Sequence, residues 1–434
     1  MELDYKAKCI EHRTEHLQAL TTYYYSKMRP NPKIILALLI LLLTVATPLT
    51  QRSQPTQNSV TIPLDVTSYG GIILQARVNN SQPLSFYVDS GASFPFVINA
   101  TKATALGLKL EEHFLMSGGA GPNMAELSKT SGLTIALDHK TFTNQRAAVI
   151  NLSEVEEQFG RSIDGLIGID LFLKHVVEID YAARLLKLYD PQSYIYSGKG
   201  QSVPLALRDA HFFVPATIDI PQRGEITGQF LVDTGGCMMT AILTSDFARR
   251  HTLPVPAQKT ISDQSVSGLG GQTRLLVGRA TSFRIGHAVF SAPLIYMSQD
   301  KGGALASSDY DGLIGTEILK RFELIFDYPR QRLILERNAR FSEPLEYDMS
   351  GMSLRASGDA FRVFKIHQVL EDSPAREAGL HVGDTVEAID SVPASQLTLE
   401  KILQMMKVPD HEYQLTIKSG ADSRTIKIKT RRLI

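Results

Sequence analysis

The sequence predicts a mainly β protein in which two copies of one β-rich unit precede a smaller β-rich domain with short helices. The first observation is an internal repeat, because residues 85–98 (SFYVDSGASFPFVI) match 228–243 (GQFLVDTGGCMMTAIL), and 164–188 match 311–335. The second is that the repeated segments contain short apolar runs rich in Val, Phe and Tyr that end at turn residues, as strands do. The third is that the repeat stops after Leu335 and a polar linker follows. A chain of 434 residues agrees with about three domains.

Before the first copy, the chain contains an apolar run at 34–46 (IILALLILLLTVA) that basic residues precede and a polar stretch follows. A spanning helix needs about 20 apolar residues, whereas the apolar region of a signal peptide needs about 7–15. The polar stretch upstream is long for a signal peptide, and initiation at Met28 would give a compact one. We therefore expect residues 1–47 to be an N-terminal tail with a signal peptide or a membrane anchor at 34–46, and 48–59 to be a linker. Either alternative predicts export, to the periplasm or another extracytoplasmic space.

Each copy contains an aspartate at the end of an apolar strand, followed by a hydroxyl residue and a glycine. Glycine permits the unusual backbone angles of a tight turn and the close approach of another backbone. The spacing matches in the two copies, since the motifs lie 233 − 89 = 144 residues apart and the downstream Asp-Gly-Leu-Ile-Gly segments 311 − 164 = 147 apart. The two motifs are Asp89-Ser90-Gly91 and Asp233-Thr234-Gly235.

Packing of the two copies about a pseudo-twofold axis would bring Asp89 and Asp233 together, and the hydroxyls of Ser90 and Thr234 could then hydrogen-bond across the interface. Two adjacent carboxyl groups cannot both ionise easily, so they share one proton. The ionised group can then activate a water molecule while the protonated group polarises a carbonyl. The residues therefore predict acid–base hydrolysis that needs neither a metal nor a covalent intermediate.

These motifs resemble the aspartic protease family of the pepsin and retropepsin type, over about residues 60–340. In that family a D-[ST]-G motif occurs once per lobe, followed by two apolar residues and glycine, here Leu166-Ile167-Gly168 and Leu313-Ile314-Gly315. The resemblance implies a two-lobed, pseudo-symmetric β-barrel with lobe 1 at 60–191 and lobe 2 at 192–340. It also implies an aspartic endopeptidase whose catalytic residues are Asp89 and Asp233, supported by Ser90, Gly91, Thr234 and Gly235. The alternative left open is a barrel that has lost catalysis and serves as a peptide-binding scaffold of the cell envelope.

Two glycine-rich segments, 117–121 and 267–271, follow the aspartate motifs at similar distances. The resemblance implies that they are the tips of flap hairpins that close over a substrate. Neither contains the tyrosine of a pepsin flap. The flap candidates are Gly118, Gly119, Gly121, Gly268, Gly270 and Gly271.

The C-terminal segment, 341–434, contains a short predicted helix at 373–380 (SPAREAGL) that begins with Ser-Pro and ends at glycine. Gly383-Asp384 then turns into the strand TVEAID. The segment resembles a PDZ domain of the bacterial, circularly permuted kind, which implies binding of peptide C-termini by strand addition. By position, the carboxylate-binding loop would be Ser350, Gly351, Met352, Ser353 and Leu354. A docking module that packs on the protease and binds no free peptide is the alternative.

Charge and composition exclude other classes of function. Lys+Arg and Asp+Glu are both 45, so the formal net charge is zero and a dedicated nucleic-acid-binding surface is not indicated. Cys9 and Cys237 cannot build a disulfide framework, and the histidines form no H-E-x-x-H motif. We expect no metal or cofactor, and protein or peptide substrates.

Three further residues in or near the motifs have simpler explanations than catalysis. Cys237 follows the second aspartate motif, but beside Met238 and Met239 we expect it to pack as a small apolar residue. Asp164 and Asp311, which begin the two DGLIG segments, are expected to shape turns.

Overall fold

The computed structural model describes residues 59–121, 123–256, 258–264 and 266–434. The N-terminal tail, the apolar run at 34–46 and all of the predicted linker except Ser59 lie outside the described residues. Strands hold 46% and helices 13% of the described residues, which confirms the prediction of a mainly β protein. None of the described helices is long and apolar enough to cross a membrane.

Lobe 1 is built on an eight-stranded sheet with the order β2-β3-β4-β9-β5-β8-β7-β6, in which β3 also pairs with β7 and partly closes the sheet. Its helices are α1 (Ala100–Ala105), α2 (Ser153–Phe159) and α3 (Ile169–Lys174). The strands of this half of the chain are β1 (Ser59–Pro63), β2 (Asp65–Val66), β3 (Ile72–Val78), β4 (Leu84–Val88), β5 (Phe96–Asn99), β6 (His113–Ser117), β7 (Met124–Leu137), β8 (Lys140–Ile150), β9 (Gly165–Ile167), β10 (Val176–Asp180) and β11 (Leu185–Tyr189).

Lobe 2 has a larger sheet with the order β17-β20-β23-β16-β24-β15-β14-β21-β22, and β13 pairs with β14 at the side. Its helices are α4 (Ser245–Arg250) and α5 (Thr316–Leu319), with 3₁₀ turns at Ala304–Ala306 and Tyr328–Arg330. Its strands are β12 (Gln201–Pro204), β13 (Ala206–Arg208), β14 (His211–Ile220), β15 (Gly224–Val232), β16 (Ala241–Leu243), β17 (Ile261–Asp263), β18 (Ser267–Gly268), β19 (Gly271–Gln272), β20 (Leu275–Arg279), β21 (Ser282–Ile285), β22 (Ala288–Ser291), β23 (Leu294–Ser298), β24 (Gly312–Ile314), β25 (Phe322–Asp327) and β26 (Arg332–Arg337).

The two copies have the same central topology. In lobe 1, β4 pairs in parallel with β9, which also pairs antiparallel with β5. In lobe 2, β15 pairs in parallel with β24, which pairs antiparallel with β16. The strands that lead to the aspartates are apolar on successive residues because neighbours cover both of their faces.

A third sheet joins the lobes. Its order is β1-β11-β10-β25-β26-β12, so the central pair, β10 and β25, brings one strand from each copy together in antiparallel pairing. Ile179 lies opposite Leu324 in this pair, and both side chains are buried. The lobes are therefore linked by backbone hydrogen bonds and by a common apolar core.

The C-terminal domain has a separate core and a sheet with the order β27-β28-β29-β31-β32. Its helices are α6 (Pro374–Glu377) and α7 (Leu399–Met405), with a 3₁₀ turn at Ala394–Gln396. Its strands are β27 (Met352–Ser357), β28 (Val363–Val369), β29 (Thr385–Ile389), β30 (Val392–Pro393), which pairs with β29, β31 (Glu412–Ser419) and β32 (Asp422–Lys429).

Two arginines of lobe 2 fasten the segment that leads to this domain. The buried Arg321 guanidinium donates to the carbonyl oxygens of Arg340 (2.9 Å) and Glu343 (2.5 Å). Arg279 forms an ion pair with Glu346 (3.0 Å) and donates to the carbonyl of the last residue, Ile434 (3.2 Å). The C-terminal domain is thus packed on lobe 2 rather than tethered by a free linker.

Candidate active site

The two aspartates lie at equivalent ends of the central strands β4 and β15. The Asp89 N–H donates to the Ile167 carbonyl (2.8 Å), and the Asp233 N–H donates to the Ile314 carbonyl (3.1 Å). Each aspartate therefore continues the ladder of its parallel strand pair for one more bond before the chain turns. The turn occurs because each carboxylate accepts the N–H of the glycine two residues on, Gly91 (2.8 Å) and Gly235 (2.9 Å).

Two hydroxyls join the motifs across the interface. Ser90 Oγ accepts the Thr234 N–H (3.0 Å) and donates to the Val232 carbonyl (2.7 Å). Reciprocally, Thr234 Oγ1 accepts the Ser90 N–H (2.9 Å) and donates to the Val88 carbonyl (2.9 Å). Both side chains are fully buried, so the four bonds fix the two aspartate loops relative to each other.

The motif glycines are required by the close approach of the opposite aspartate. A Cβ atom on Gly91 would lie 2.7 Å from Asp233 Oδ1, and one on Gly235 would lie 2.5 Å from Asp89 Oδ1. Neither distance leaves room for a methyl group. The sequence prediction that these glycines support the aspartates therefore has a steric reason in the structure.

Burial and mutual charge set the protonation of the pair. Burial raises the pKa of Asp89, partly offset by hydrogen bonds from Gly91 N–H and from the Asp233 carboxyl. Burial and the negative charge of Asp89 raise the pKa of Asp233 well above its ordinary value. The pair therefore shares one proton, as two carboxyl groups in contact require.

The aspartates that begin the DGLIG segments brace the central strands from outside the pair. The Asp164 carboxylate accepts the Ser85 N–H (2.8 Å) and pairs with Lys102 (3.1 Å). The Asp311 carboxylate accepts the Gln229 N–H (2.7 Å) and pairs with Arg250 (2.6 Å). The described hydrogen bonds and ion pairs of these two carboxylates all lie within their own lobe and stabilise its strands.

The two glycine-rich segments are hairpin tips that meet. Tip 1 (118–121 and Asn123) joins β6 to β7, and tip 2 (268–271) joins β18 to β19. The Gly270 N–H donates to the Ala120 carbonyl (2.9 Å), and the Asn123 N–H donates to the Gly270 carbonyl (3.1 Å).

The tips also reach across to the opposite lobes. Ala120 of tip 1 belongs to an apolar cluster drawn mainly from lobe 2 that includes Met239. Leu269 of tip 2 packs on a cluster of lobe 1 that includes Tyr69 and Tyr87. The flap candidates Gly118, Gly121, Gly268 and Gly270 lie where the tips touch, whereas Gly119 has open space around it and Gly271 supplies a positive φ of 98°.

Sequence reasoning missed a pair of hairpins that lie near the aspartate motifs. The β2–β3 turn brings Gly71 beside Cys237, since a Cβ on that glycine would lie 3.3 Å from the thiol sulfur. The β13–β14 turn brings His211 near enough for its charge to lower the pKa of Asp89, against the larger effect of burial. A sequence pattern for these hairpins was present, because a short strand, a turn and a longer strand precede each aspartate motif.

Comparison with protein families finds an aspartyl protease model that matches residues 74–171, the part of lobe 1 from β3 to α3. The chain contains an aspartyl protease domain. A PDZ model matches residues 365–418, so the C-terminal domain is a PDZ domain. The match to the protease model covers Asp89-Ser90-Gly91 and Leu166-Ile167-Gly168, and the second copy repeats that topology in lobe 2. Among curated proteins, no relative matches the chain.

The predicted PDZ loop holds a carboxylate that belongs to the chain itself. Asp348 Oδ1 accepts the Ser350 N–H (2.9 Å), the Ser350 hydroxyl (2.6 Å) and the Gly351 N–H (2.7 Å). Met352 N–H donates to Ser350 Oγ (3.1 Å). Ser350 is fully buried, while Ser353 and Leu354 continue into β27. Binding of a peptide by these five residues stays a prediction.

Within the described residues, no three His, Cys, Asp or Glu side chains gather in a way that could hold a metal ion. The carboxyl pair alone can polarise a carbonyl oxygen through its protonated member and accept a proton from a water molecule through its ionised member.

Proposed function

We propose that the protein is an aspartic endopeptidase that hydrolyses peptide bonds with a water molecule activated between Asp89 and Asp233. The observation that carries the proposal is the buried, hydrogen-bonded pair of carboxyl groups held by the crossed Ser90 and Thr234 bonds. A barrel kept only as a scaffold has no need of two costly buried carboxyl groups in contact.

In the proposed reaction, Asp89 removes a proton from water as the oxygen attacks the scissile carbonyl, and Asp233 donates its proton to the carbonyl oxygen. As the tetrahedral intermediate collapses, one of its two hydroxyls returns a proton to Asp233, the C–N bond breaks, and the proton held by Asp89 passes to the leaving amine. The two tips would cover the substrate, which excludes water and orients the bond.

The supporting role proposed for the PDZ domain is recruitment of protein substrates through an extended peptide segment. We also propose export through the segment 34–46, from its apolar run and basic flank. N-terminal sequencing of the native protein separates a cleaved signal peptide from an anchor. An intact Met1 on the mature protein would contradict cleavage.

The deciding experiment measures cleavage of an unfolded protein by the wild type and by Asp89→Asn and Asp233→Asn. Either substitution should lower the rate about 10²–10⁴-fold, because each removes one partner of the proton transfer. Asp422→Asn, an exposed carboxylate of the PDZ domain, is the matched control and should retain full activity. A transition-state analogue with a hydroxyl in place of the scissile carbonyl should inhibit. Full activity in either dyad variant would overturn the assignment, and an inactive wild type would favour the scaffold.

A further inference from the structure

The peptide groove of the PDZ domain faces the protease. β27 is the end strand of its sheet, and its outer edge pairs with no other described strand. Between this edge, α7 and lobe 2 lies a cavity of about 520 Å³. Its apolar walls include Met352, Leu399 and Leu403 on the PDZ side and Met238 and Met239 on the protease side.

The far end of the same groove is filled by lobe 1. Gly160, which ends α2 in the left-handed conformation (φ 66°), packs between β27 and α7. A Cβ atom on it would lie 2.6 Å from Leu399 Cβ and 3.3 Å from Ala356 Cβ. A peptide strand that continued along β27 past Ala356 would need the space of Gly160.

The filled end of the groove is also where the second hairpin is held. Ser267, at the base of tip 2, donates its N–H to Gln158 Oε1 of α2 (2.7 Å) and accepts from the Arg355 guanidinium of β27 (3.1 Å). Gln158 is buried. Separation of α2 from β27 would therefore break at least one of the two bonds that hold Ser267 from opposite sides.

Two further PDZ side chains hold the strands on either side of tip 2. Gln368 accepts the Gln264 N–H (3.0 Å) and donates to the Ser262 carbonyl (2.9 Å). His367 Nε2 lies 2.9 Å from Gln272 Nε2. The PDZ domain therefore holds the hairpin of tip 2 in place through these side-chain hydrogen bonds.

The carboxylate of Asp348 decides the kind of segment that the groove accepts. It already occupies the N–H groups of Ser350 and Gly351, so a chain-terminal carboxylate placed at this loop would meet a like charge. An internal segment brings only backbone N–H and C=O groups to the edge of β27, and its apolar side chains would match the methionine and leucine walls.

We propose that the groove between β27 and α7 binds an internal, extended peptide segment with apolar side chains, and that its entry displaces the end of α2 at Gly160 and releases the hairpin of tip 2. The ligand and α2 compete for one site, so binding shifts the protein towards the released state by the difference in affinity. The proposal rests on the proposed function only in that the hairpin is taken to cover the dyad.

The ligand is tested by affinity selection on the full chain from two pools of heptapeptides with randomised central residues, one with acetylated and amidated ends and one with free carboxylates. The amidated pool should yield peptides with apolar side chains. Enrichment from the free-carboxylate pool alone would overturn the internal-segment assignment, and no enrichment from either pool would overturn the site.

The release is tested by amide hydrogen exchange of residues 261–274 with the most enriched amidated peptide. Exchange should become at least about fivefold faster, the factor expected for loss of one ordinary hydrogen bond. Gln158→Ala should give that faster exchange without peptide and respond little to it, whereas Gln82→Ala, an exposed glutamine of the same lobe, should behave as the wild type. Peptide binding with unchanged exchange in the wild type would overturn the release.

Cleavage assays on the same samples separate this proposal from the proposed function. Faster exchange with faster cleavage supports both. Faster exchange in a protein that never cleaves would contradict the protease assignment and would still support the binding site and the release of the hairpin.

Discussion

Ser90 and Thr234 exchange backbone-to-hydroxyl hydrogen bonds across the two lobes, at 2.9 and 3.0 Å. Each hydroxyl also donates to a carbonyl of the opposite strand, Val232 for Ser90 and Val88 for Thr234. A side chain that both accepts and donates across the interface ties two loops that lie 144 residues apart. The geometry of the dyad therefore depends on two small, fully buried hydroxyl residues.

Removal of one hydroxyl should weaken both the fold and the dyad. Ser90→Ala leaves the buried Thr234 N–H without its acceptor, a loss of about 1–3 kcal/mol in the free energy of unfolding. Ser90→Thr keeps the hydroxyl and is the control. Urea unfolding with cleavage assays on the folded fraction measures both effects. Unchanged stability and activity in Ser90→Ala would contradict the role of the crossed bonds.

The cleavage rate should depend on pH with a bell shape. Asp89 must be ionised, so the rate falls as the pH drops through its raised pKa. Asp233 must be protonated, so the rate falls again as the pH rises through a pKa that is well above the ordinary value. The profile of kcat/KM measures both limbs. A rate that rises without limit towards high pH would exclude a protonated Asp233.

The same burial predicts a dependence of stability on pH. An acid whose pKa is raised by folding binds more protons in the folded state than in the unfolded state, so the free energy of unfolding falls as the pH rises above the ordinary value of 3.8. Asp233→Asn removes one of the two carboxyl groups whose ionisation lowers the free energy of unfolding. Chemical unfolding should show the variant more stable than the wild type at neutral pH, with the difference vanishing at pH 3. A variant less stable at every pH would refute the linkage.

Two neighbouring glycines of tip 1 provide a matched pair of variants. A Cβ on Gly118 would lie 2.6 Å from the Leu269 carbonyl carbon, whereas one on Gly119 meets nothing within 4 Å. Gly118→Ala should separate the tips, speed exchange of the Gly270 amide and lower kcat/KM by about tenfold to a hundredfold through lost positioning. Gly119→Ala should match the wild type. Equal behaviour of the two variants would contradict contact between the tips.

Cys237 should be chemically inert in the folded protein. Its side chain is buried, and burial together with the negative charge of the aspartate pair raises the pKa of the thiol well above its ordinary value. Iodoacetamide at pH 8 should label it only after denaturation, and Cys237→Ala should continue to cleave. Loss of cleavage with an intact fold would reopen its role as a nucleophile.

The sequence was sufficient for features that depend on local chemistry or repetition. The prediction of a mainly β fold is confirmed, as are the aspartyl protease and PDZ domains. Turns and strands leave patterns within short segments of sequence, so they can be recognised locally. The equivalence of Asp89 and Asp233 followed from the repeat alone. The structure then brings these two residues, and Ser90 and Thr234, into direct contact.

Features that depend on packing between distant segments could not be predicted. Gly160 gives no sequence signal that it lies against Leu399, since contacts between lobe 1 and the PDZ domain follow from how complete surfaces fit. The meeting of Ala120 with Gly270 likewise requires both hairpins to be placed first. Asp348 is different, because an aspartate two residues before Ser-Gly is a common turn signal and could have indicated a loop that satisfies its own amides.

The pairing of β10 with β25 bears on how such a chain can arise and diversify. These strands are equivalent in the two copies and run antiparallel, so each half has a self-complementary edge of the kind that builds symmetric dimers. A half-length ancestor could assemble with one aspartate from each subunit. Fusion into a single polypeptide then frees the halves to differ. Lobe 2 carries Cys237 and leads into the C-terminal domain, whereas lobe 1 keeps α2, which packs on that domain.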